Sequence, residues 1–209
     1  MSDFALNAPR QQRSTESWER VLVAGAKILE ERGYDGFTVS EVCREAGVTT
    51  GSIYARVPSK QALFHVISER EINRIVAEGS ARQAEIVKPG HTLSAAIDDV
   101  VTEFIKEFER EKGLLRAMLL ESTHDQVIFD LGQNLTSMAR DRFVGAFEPF
   151  LADIPGPDPE RSVDLCFRIL SAMMVRRITA AFEWEIDRDI GPFKGEMTAV
   201  FRAYLLPAG

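Results

Sequence analysis

The sequence predicts an all-α protein with a helix-turn-helix head at its N-terminus and a larger helical bundle behind it. Apolar residues recur every three or four positions through most of the chain, which is the spacing of amphipathic helices. No stretch alternates apolar and polar residues as a half-buried strand does. Breaks that contain glycine or proline divide the pattern into about nine helices.

Three segments are expected along the chain. Residues 1–14 form a flexible arm, residues 15–62 the head and residues 63–209 the bundle. In order, the predicted elements of the head are a helix from Trp18 to Gly33, a helix from Val39 to Gly47, a short segment over Thr50–Ala55 and, after Pro58, a long helix that Ser59 caps and that ends near Glu85.

The second half repeats this organisation with longer helices. The clearest loop lies at 153–159, where three prolines and a glycine stand together. The predicted elements are a helix from Leu93 that stops before Gly113, a short helix over Leu114–Glu121, a long helix marked by apolar residues from Ile128 to Phe150, a helix from Glu160 to about Asp187 and a last helix from Phe193 to about Leu205.

Charge is divided unevenly between the head and the bundle. Residues 1–60 carry eight basic and eight acidic groups, whereas residues 61–209 hold the whole net charge of −7. A negative body behind a neutral head orients the protein on a polyanion without adding affinity. No apolar run is long enough to span a membrane, and the N-terminus lacks a secretory signal. Two free, buried cysteines, Cys43 and Cys166, fit a reducing cytoplasm.

The sequence shows no arrangement of residues that is typical of a catalytic site. The three histidines, His65, His91 and His124, are isolated and match no metal-ligand spacing. Neither cysteine has a nearby histidine in sequence, and no glycine-rich loop is placed to cradle a phosphate. We therefore expect no enzyme, no metal and no cofactor.

The segment from Thr38 to Tyr54 packs two helix starts and a tight turn into seventeen residues. Thr38 and Glu41 are spaced as a capping box, and Gly47 can adopt the left-handed conformation that the turn requires. Thr49 is placed to cap the second helix. This is the layout of a helix-turn-helix, whose second helix enters the major groove. An ordinary helical corner is the alternative.

The continuation from Ile53 to Lys60 favours DNA binding. A tyrosine on the groove side can donate its hydroxyl to a phosphate, and Lys60 stands where a helix start presents free N–H groups. The predicted DNA-contacting residues are Thr38, Thr49, Thr50, Gly51, Ser52, Tyr54, Arg56 and Lys60.

This segment resembles the tetracycline-repressor (TetR) family of bacterial regulators. The resemblance is close from Val21 to Phe64, in the pattern F-T-V-x-x-V-x-x-x-A-G-V-T-x-G-S-I-Y followed by P-S-K-x-A-L-F. It places these residues on the family's framework or DNA-contact positions: Gly33, Phe37, Thr38, Val39, Ala46, Gly47, Val48, Gly51, Ile53, Tyr54, Pro58, Ser59, Lys60 and Leu63. Beyond Phe64 only the helix count and the length agree.

Two departures from the family pattern stand in the head. Arg56-Val57 replaces the usual His-Phe, so Val57 should fill its apolar slot less fully and Arg56 should add to phosphate contact. Thr50 stands where the family often has a basic residue, which leaves few long side chains for base edges. Arg10 and Arg13 precede the first helix, where they suit either a minor groove or a solvated tail.

The resemblance implies a C-terminal half that binds a small molecule and dimerises. Independently, the two last helices are apolar on nearly all sides, which favours cover by a second copy across a two-fold axis. The predicted interface residues are Leu170, Met174, Ile178, Ala181, Met197 and Phe201. The predicted pocket residues, for an apolar or aromatic effector, are Phe104, Phe108, Met118, Phe129, Phe143, Phe147, Phe167 and Met174. The alternative is that these residues belong to the hydrophobic core and line no pocket.

Polar groups that can orient such an effector are Glu121, His124, Arg142, Arg176 and Arg177, which can equally pair with surface carboxylates. The expected function is a homodimeric repressor on a palindromic double-stranded DNA operator, released by the effector. Activation, or a DNA-binding adaptor without a ligand, stays open at this point, and neither operator nor effector can be named.

Overall fold

The computed structural model describes residues 8–86, 90–179 and 189–207, with the side chains of 8–13 and 84 excepted. Within these ranges the chain forms eight α-helices and one 3-10 helix, and no strand. The elements are α1 (Ala8–Gly36), α2 (Val39–Ala46), α3 (Thr50–Tyr54), α4 (Lys60–Ile86), α5 (Leu93–Glu121), α6 (Gln126–Gly145), the 3-10 helix Glu148–Asp153, α7 (Pro159–Thr179) and α8 (Ile190–Leu205). The predicted all-α class is confirmed.

The helix from Leu93 does not stop before Gly113, and the short helix expected after it does not exist separately. Both belong to α5, which is continuous to Glu121. Gly113 is required there for packing and not as a helix stop. A Cβ on Gly113 would lie 2.3 Å from the backbone carbonyl oxygen of Glu30, so glycine allows α5 to cross α1 at close range.

Two other helix ends differ from the prediction, and a third is left untested. α1 begins at Ala8, within the predicted arm, and Pro9 suits the first turn of a helix because it has no N–H to leave unpaired. The helix expected to reach Phe150 ends at Gly145, and a 3-10 helix with Pro149 at its start follows. α7 is described to Thr179, so Ala181 and the predicted end near Asp187 lie outside the described residues.

The head has its own apolar core, which extends into the bundle. Phe37, Ile53, Leu63 and Phe64 are fully buried between α1, α3 and α4. Leu114, Ala117 and Met118 of α5 and Ile128 of α6 belong to the same cluster. Because these bundle residues complete the core of the head, the two parts are joined by packing as well as by the long helix α4.

A second core holds the bundle together. It is built from α5, α6, α7 and α8 around Ile97, Phe147, Leu170 and Phe201, each of which is almost fully buried. Cys166 lies in it as a free thiol, and burial raises its pKa to about 12. The thiol is therefore neutral at ordinary pH and packs as a small apolar group.

Across the described ranges, no helix combines the length and the apolar character needed to cross a bilayer.

Candidate nucleic-acid interface and effector cavity

The α2–turn–α3 unit is fixed by its caps. The Thr38 hydroxyl accepts from the Glu41 amide at 3.2 Å and starts α2, and the Thr49 hydroxyl accepts from the Ser52 amide at 3.4 Å and starts α3. Between them Gly47 ends α2 in the left-handed conformation, with φ 66° and ψ 41°. These three predicted roles are confirmed.

The capping box at the start of α2 is only half formed. The Glu41 carboxylate does not return to the backbone of Thr38 but pairs with Arg44 at 2.7 Å and with Arg32 at 3.1 Å. These pairs hold the pKa of Glu41 below its usual range, chiefly through the hydrogen bond from Arg44. The acid therefore ties α2 to α1 instead of closing a local box.

Two apolar side chains set α3 and the turn after it onto the head. Ile53 is fully buried, and Val57 is buried in the slot that follows α3, as expected for its departure from the family pattern. Only one face of the short helix is therefore available to a ligand.

The exposed face of α3 carries Thr50, Gly51, Ser52 and Tyr54. The Ser52 and Thr49 hydroxyls lie 2.9 Å apart and bond to each other, and the Thr50 hydroxyl accepts from the Cys43 thiol at 3.7 Å. Tyr54 is about half exposed, at 49%. These short hydroxyls and one phenol are aligned on a surface that no other part of the described chain covers.

Gly51 lies in open space on that face. The nearest atom to a Cβ built there is the Thr49 hydroxyl oxygen at 4.0 Å, so a side chain would meet no crossing helix. Packing against another helix therefore does not explain the glycine, and the missing side chain leaves room for a ligand to approach this face.

Lys60 stands at the first residue of α4, as predicted. Its ammonium donates to the Tyr34 carbonyl oxygen at 3.0 Å and lies 3.8 Å from the centre of the Tyr34 ring. The charge is therefore held beside the head by a carbonyl and an aromatic face, and it is partly exposed.

Arg56 is oriented toward α1. Its guanidinium donates to the Ser14 carbonyl oxygen at 3.0 Å and to the Ser14 hydroxyl at 2.7 Å, and it lies 5.1 Å from the Trp18 ring centre. The residue expected to add phosphate contact thus fixes the start of α1 while staying exposed. The side chains of Arg10 and Arg13 lie outside the described residues.

A cavity of about 190 Å³ lies between α4, α5, α6 and α7. Five of the eight predicted pocket residues line it, namely Phe104, Phe108, Met118, Phe129 and Phe167. The other three, Phe143, Phe147 and Met174, are buried in the bundle core and do not reach it, which corrects that part of the prediction.

The two charged residues of the cavity wall were missed by the sequence analysis, as were its aliphatic and neutral polar members. Glu107 and Glu111 of α5 line the cavity although each is only 8% exposed. Their positions fall three or four residues from Phe104 and Phe108 on the same helical stripe, which is the signal that could have found them. None of the five polar candidates named from the sequence is among the described lining residues.

Arginines stand behind both carboxylates. Arg74 of α4 binds Glu111 through both of its terminal nitrogens, at 2.6 and 3.2 Å, and Arg142 of α6 binds Glu107. The hydrogen bonding that Arg74 donates to Glu111 is the main cause that raises the pKa of Arg74. Each buried acid is therefore paired with an arginine that is not among the described lining residues of the cavity.

The cavity adjoins the core of the head. Ile75, Met118 and Ile128 line the cavity and also belong to the head's apolar cluster. At the start of α6, Asp125 caps the helix and accepts from Gln61 at 2.8 Å, while its carboxylate lies 2.6 Å from the His65 ring of α4. Burial raises the pKa of Asp125, but the bonds from Gln61 and His65 outweigh it and leave the pKa lowered.

The predicted dimer residues do not form an exposed face. Leu170, Met174, Ile178 and Phe201 are buried in the protomer's own core, where a second copy cannot touch them; Met197 packs against that core. Ala181 lies outside the described residues. The exposed apolar side chains of α7 and α8 are Ile169, Met173, Val200 and Tyr204, at 38–49% exposure. Each pair is spaced by four residues, so each forms a stripe on one helix face.

α2, the turn at Gly47 and the exposed helix α3 form a helix-turn-helix, and the head that holds them is similar to that of bacterial regulators of the TetR family. Residues 21–67 match the profile of the "Bacterial regulatory proteins, tetR family". The transcriptional repressor BdcR of Escherichia coli K12 is 26% identical over 106 residues, which are 51% of this chain and 52% of BdcR. The chain also matches the A-factor receptor protein of Streptomyces griseus and the HTH-type transcriptional regulator CymR of Pseudomonas putida, and the matches span 32% to 52% of the lengths of these three relatives.

Solved structures share the fold over nearly the whole chain. A TetR-family regulator from Mesorhizobium loti superposes with a TM-score of 0.74 at 14% identity, covering 92% of this chain and 96% of that one. FadR of Bacillus subtilis, solved with stearoyl-CoA, superposes with a TM-score of 0.63 at 14% identity, covering 88% and 97%.

Proposed function

We propose that the chain is a ligand-responsive repressor that binds a palindromic operator as a homodimer and leaves it when a small molecule occupies the cavity. The observation that carries this proposal is the position of the cavity against the head. Ile75, Met118 and Ile128 serve both the cavity wall and the core of the head. A ligand that moves them changes the packing on which α4 and α3 rest.

The hydrogen bonds at the start of α6 give the coupling a second route. α6 supplies much of one cavity wall, and its cap Asp125 is bonded to Gln61 and His65 of α4. These residues follow Lys60 within five positions. A shift of α6 is therefore transferred to the helix start that faces DNA. The equilibrium moves only by the ligand's difference in affinity between the two shapes.

The homodimer is proposed to form through the exposed stripes of α7 and α8. Ile169 and Met173 lie on one stripe, and Val200 and Tyr204 on the other. Two such helices from each protomer would form a four-helix contact across a two-fold axis. A dimer of this kind presents two α3 helices to major grooves about 34–36 Å apart, one turn of B-DNA.

The walls of the cavity support an effector with an apolar or aromatic body. Four phenylalanine rings and several aliphatic side chains form most of them. An adaptor that binds DNA without a ligand would need no such space. The repressor role is supported by the likeness to BdcR, and a cytoplasmic location by the two buried free thiols.

Operator affinity, measured with and without a cavity ligand, tests this function. A palindrome beside the gene supplies the DNA, and thermal-shift screening of small aromatic compounds supplies the ligand. We expect a compound that stabilises the full chain to weaken operator binding. Compounds that bind in the cavity and leave operator affinity unchanged would contradict the proposal. The variant Thr136→Trp should fill the cavity, because Thr136 lines it. Operator binding by this variant should therefore no longer change when the compound is added.

A further inference from the structure

We infer that the effector cavity selects ligands with a positively charged nitrogen on a small aromatic or apolar body; this inference rests on the proposed effector site. Its basis is the chemistry that faces the cavity. Glu107 and Glu111 are the charged side chains among the described lining residues, and no lysine, arginine or histidine stands with them. An anionic ligand would therefore meet carboxylates and no cation.

The aromatic rings of the wall favour the same ligand. Phe104, Phe108 and Phe167 lie together, with ring centres 5.1 Å and 5.7 Å from that of Phe104. The face of an aromatic ring carries negative potential and attracts an ammonium group. Because Phe104, Glu107, Phe108 and Glu111 follow one stripe of α5, rings and carboxylates stand close together on the same wall.

Charge balance around the cavity points in the same direction. The two carboxylates belong to one connected ion-pair network of α1, α4, α5 and α6. Among the described residues its acids are Glu19, Glu71, Glu78, Glu103, Glu107 and Glu111, and its bases are Arg70, Arg74, Arg82, Arg110 and Arg142. The network holds six carboxylates and five guanidinium groups, so the arginines near the cavity bring no excess of positive charge that would favour an anionic ligand.

The carboxylates keep capacity for a ligand. Each carboxylate oxygen has two acceptor sites, and neither Arg74 nor Arg142 is among the described lining residues of the cavity. A ligand ammonium can therefore donate to Glu111 or Glu107 while Arg74 and Arg142 remain bound. This double contact spares the ligand the full cost of losing its water, which a purely apolar cavity would impose.

The size of the cavity limits the ligand. A cavity of about 150 Å³ is known to hold one benzene ring. At about 190 Å³ the space accepts one ring with a short chain. We therefore choose three probes with one phenyl ring and a four-carbon chain that differ in charge: 4-phenylbutylamine, 4-phenylbutanol and 4-phenylbutyrate.

Calorimetric titration of the full chain with the three probes at neutral pH tests the inference. We expect the amine to bind about 10-fold to 100-fold tighter than the carboxylate, the range for hydrogen bonds to charged groups, with the alcohol between them. Equal binding, tighter binding of the carboxylate, or no binding of the amine at millimolar concentration would overturn it.

Two variants test whether the carboxylates of the cavity wall cause the preference for the amine. Glu111→Gln should reduce the preference for the amine to about threefold or less, because it removes one of two carboxylates. Glu109→Gln removes a carboxylate of α5 that pairs with Lys112 and does not line the cavity, and it should leave the preference intact. Where Glu111→Gln does not fold, the three probes on the unchanged chain still decide the question.

The same probes separate this inference from the proposed function. If the amine binds selectively and operator affinity does not change, the repressor proposal fails and the ligand class stands. If the alcohol or the carboxylate binds best and releases the operator, the ligand class fails and the repressor stands.

Discussion

The carboxylate of Asp125 lies 2.6 Å from Nε2 of His65, and this contact joins the start of α6 to α4 five residues beyond Lys60. Asp125 also accepts from the amides of Val127 and Ile128. One buried side chain therefore caps a cavity helix and fixes it to α4, the helix that begins at Lys60.

Replacing Asp125 by alanine should cost more stability than the loss of a cap alone. Thr92→Ala is the matched control, because Thr92 caps α5 in the same way without a cross-helix bond. We expect the control to lower the free energy of unfolding by about 1 kcal/mol. Asp125→Ala should exceed it by about 1 kcal/mol or more, because Gln61 and His65 lose their acceptor. Equal effects in urea titrations would show that the cross-helix bonds contribute nothing.

Asp125 also predicts a pH dependence of stability. Its pKa in the folded chain is lowered by the bonds from Gln61 and His65, against the effect of burial. A lowered folded pKa means that the carboxylate stabilises the fold above its unfolded pKa of about 4, and that this contribution disappears as pH falls further. Between pH 5 and pH 3 the unchanged chain should lose more stability than Asp125→Asn. Parallel losses, measured by urea unfolding at each pH, would contradict the assignment.

Two glycine-to-alanine changes should have opposite effects on stability. A Cβ at Gly113 meets the carbonyl oxygen of Glu30 at 2.3 Å, and backbone cannot yield as a side chain can. We expect Gly113→Ala to destabilise by about 1–3 kcal/mol. Gly132, inside α6, has no atom within 4 Å of its Cβ position, so Gly132→Ala should stabilise by up to about 1 kcal/mol through helix propensity. Stabilisation by both would show that α1 and α5 do not need this close approach.

The proposed dimer contact can be broken at Met173. Sedimentation of the unchanged chain should give twice its mass of 23.4 kDa. Met173→Asp places a charge in the apolar contact and should give monomers at micromolar concentration. Met138→Asp is the control, because Met138 is 51% exposed on α6, away from both stripes. A dimer that survives Met173→Asp and fails with Met138→Asp would place the contact elsewhere.

The sequence predicted the head more completely than the bundle. The caps Thr38 and Thr49, the left-handed Gly47 and the apolar slot of Val57 are local features, and local rules are sufficient to predict them. The role of Gly113 depends on the carbonyl oxygen of Glu30, which is far away in sequence. The sequence pattern alone therefore predicted a helix end at this glycine.

The faces of the last two helices show the same limit. Both α7 and α8 are apolar on more than one side, and the pattern does not say which side faces the protomer's own core. Met174 and Phe201 are buried in the protomer, whereas Met173 and Val200 are exposed. In the same way the pattern gives no reason to place Glu107 and Glu111 in a cavity wall, because buried acids are rare unless they are paired. Their partners Arg142 and Arg74 come from other helices.

Gly51→Ala distinguishes an effect on DNA binding from an effect on the stability of the fold. No protein atom lies closer than 4.0 Å to its Cβ position, so the stability of the free chain should not fall. Operator binding should fall if the DNA backbone approaches this face of α3. A loss of stability would assign Gly51 to the fold and remove this argument.

The central claim, that α3 lies in the major groove with Lys60 on a phosphate, is tested most directly by one titration series. Lys60→Ala and Thr50→Ala are titrated against a panel of operator variants at two salt concentrations. Lys60→Ala should weaken binding to all sequences alike and lower the salt slope by about one unit. Thr50→Ala should change which variants are preferred, with little effect on nonspecific affinity. If Lys60→Ala altered base preference while Thr50→Ala weakened all sequences equally, α3 would not occupy the groove.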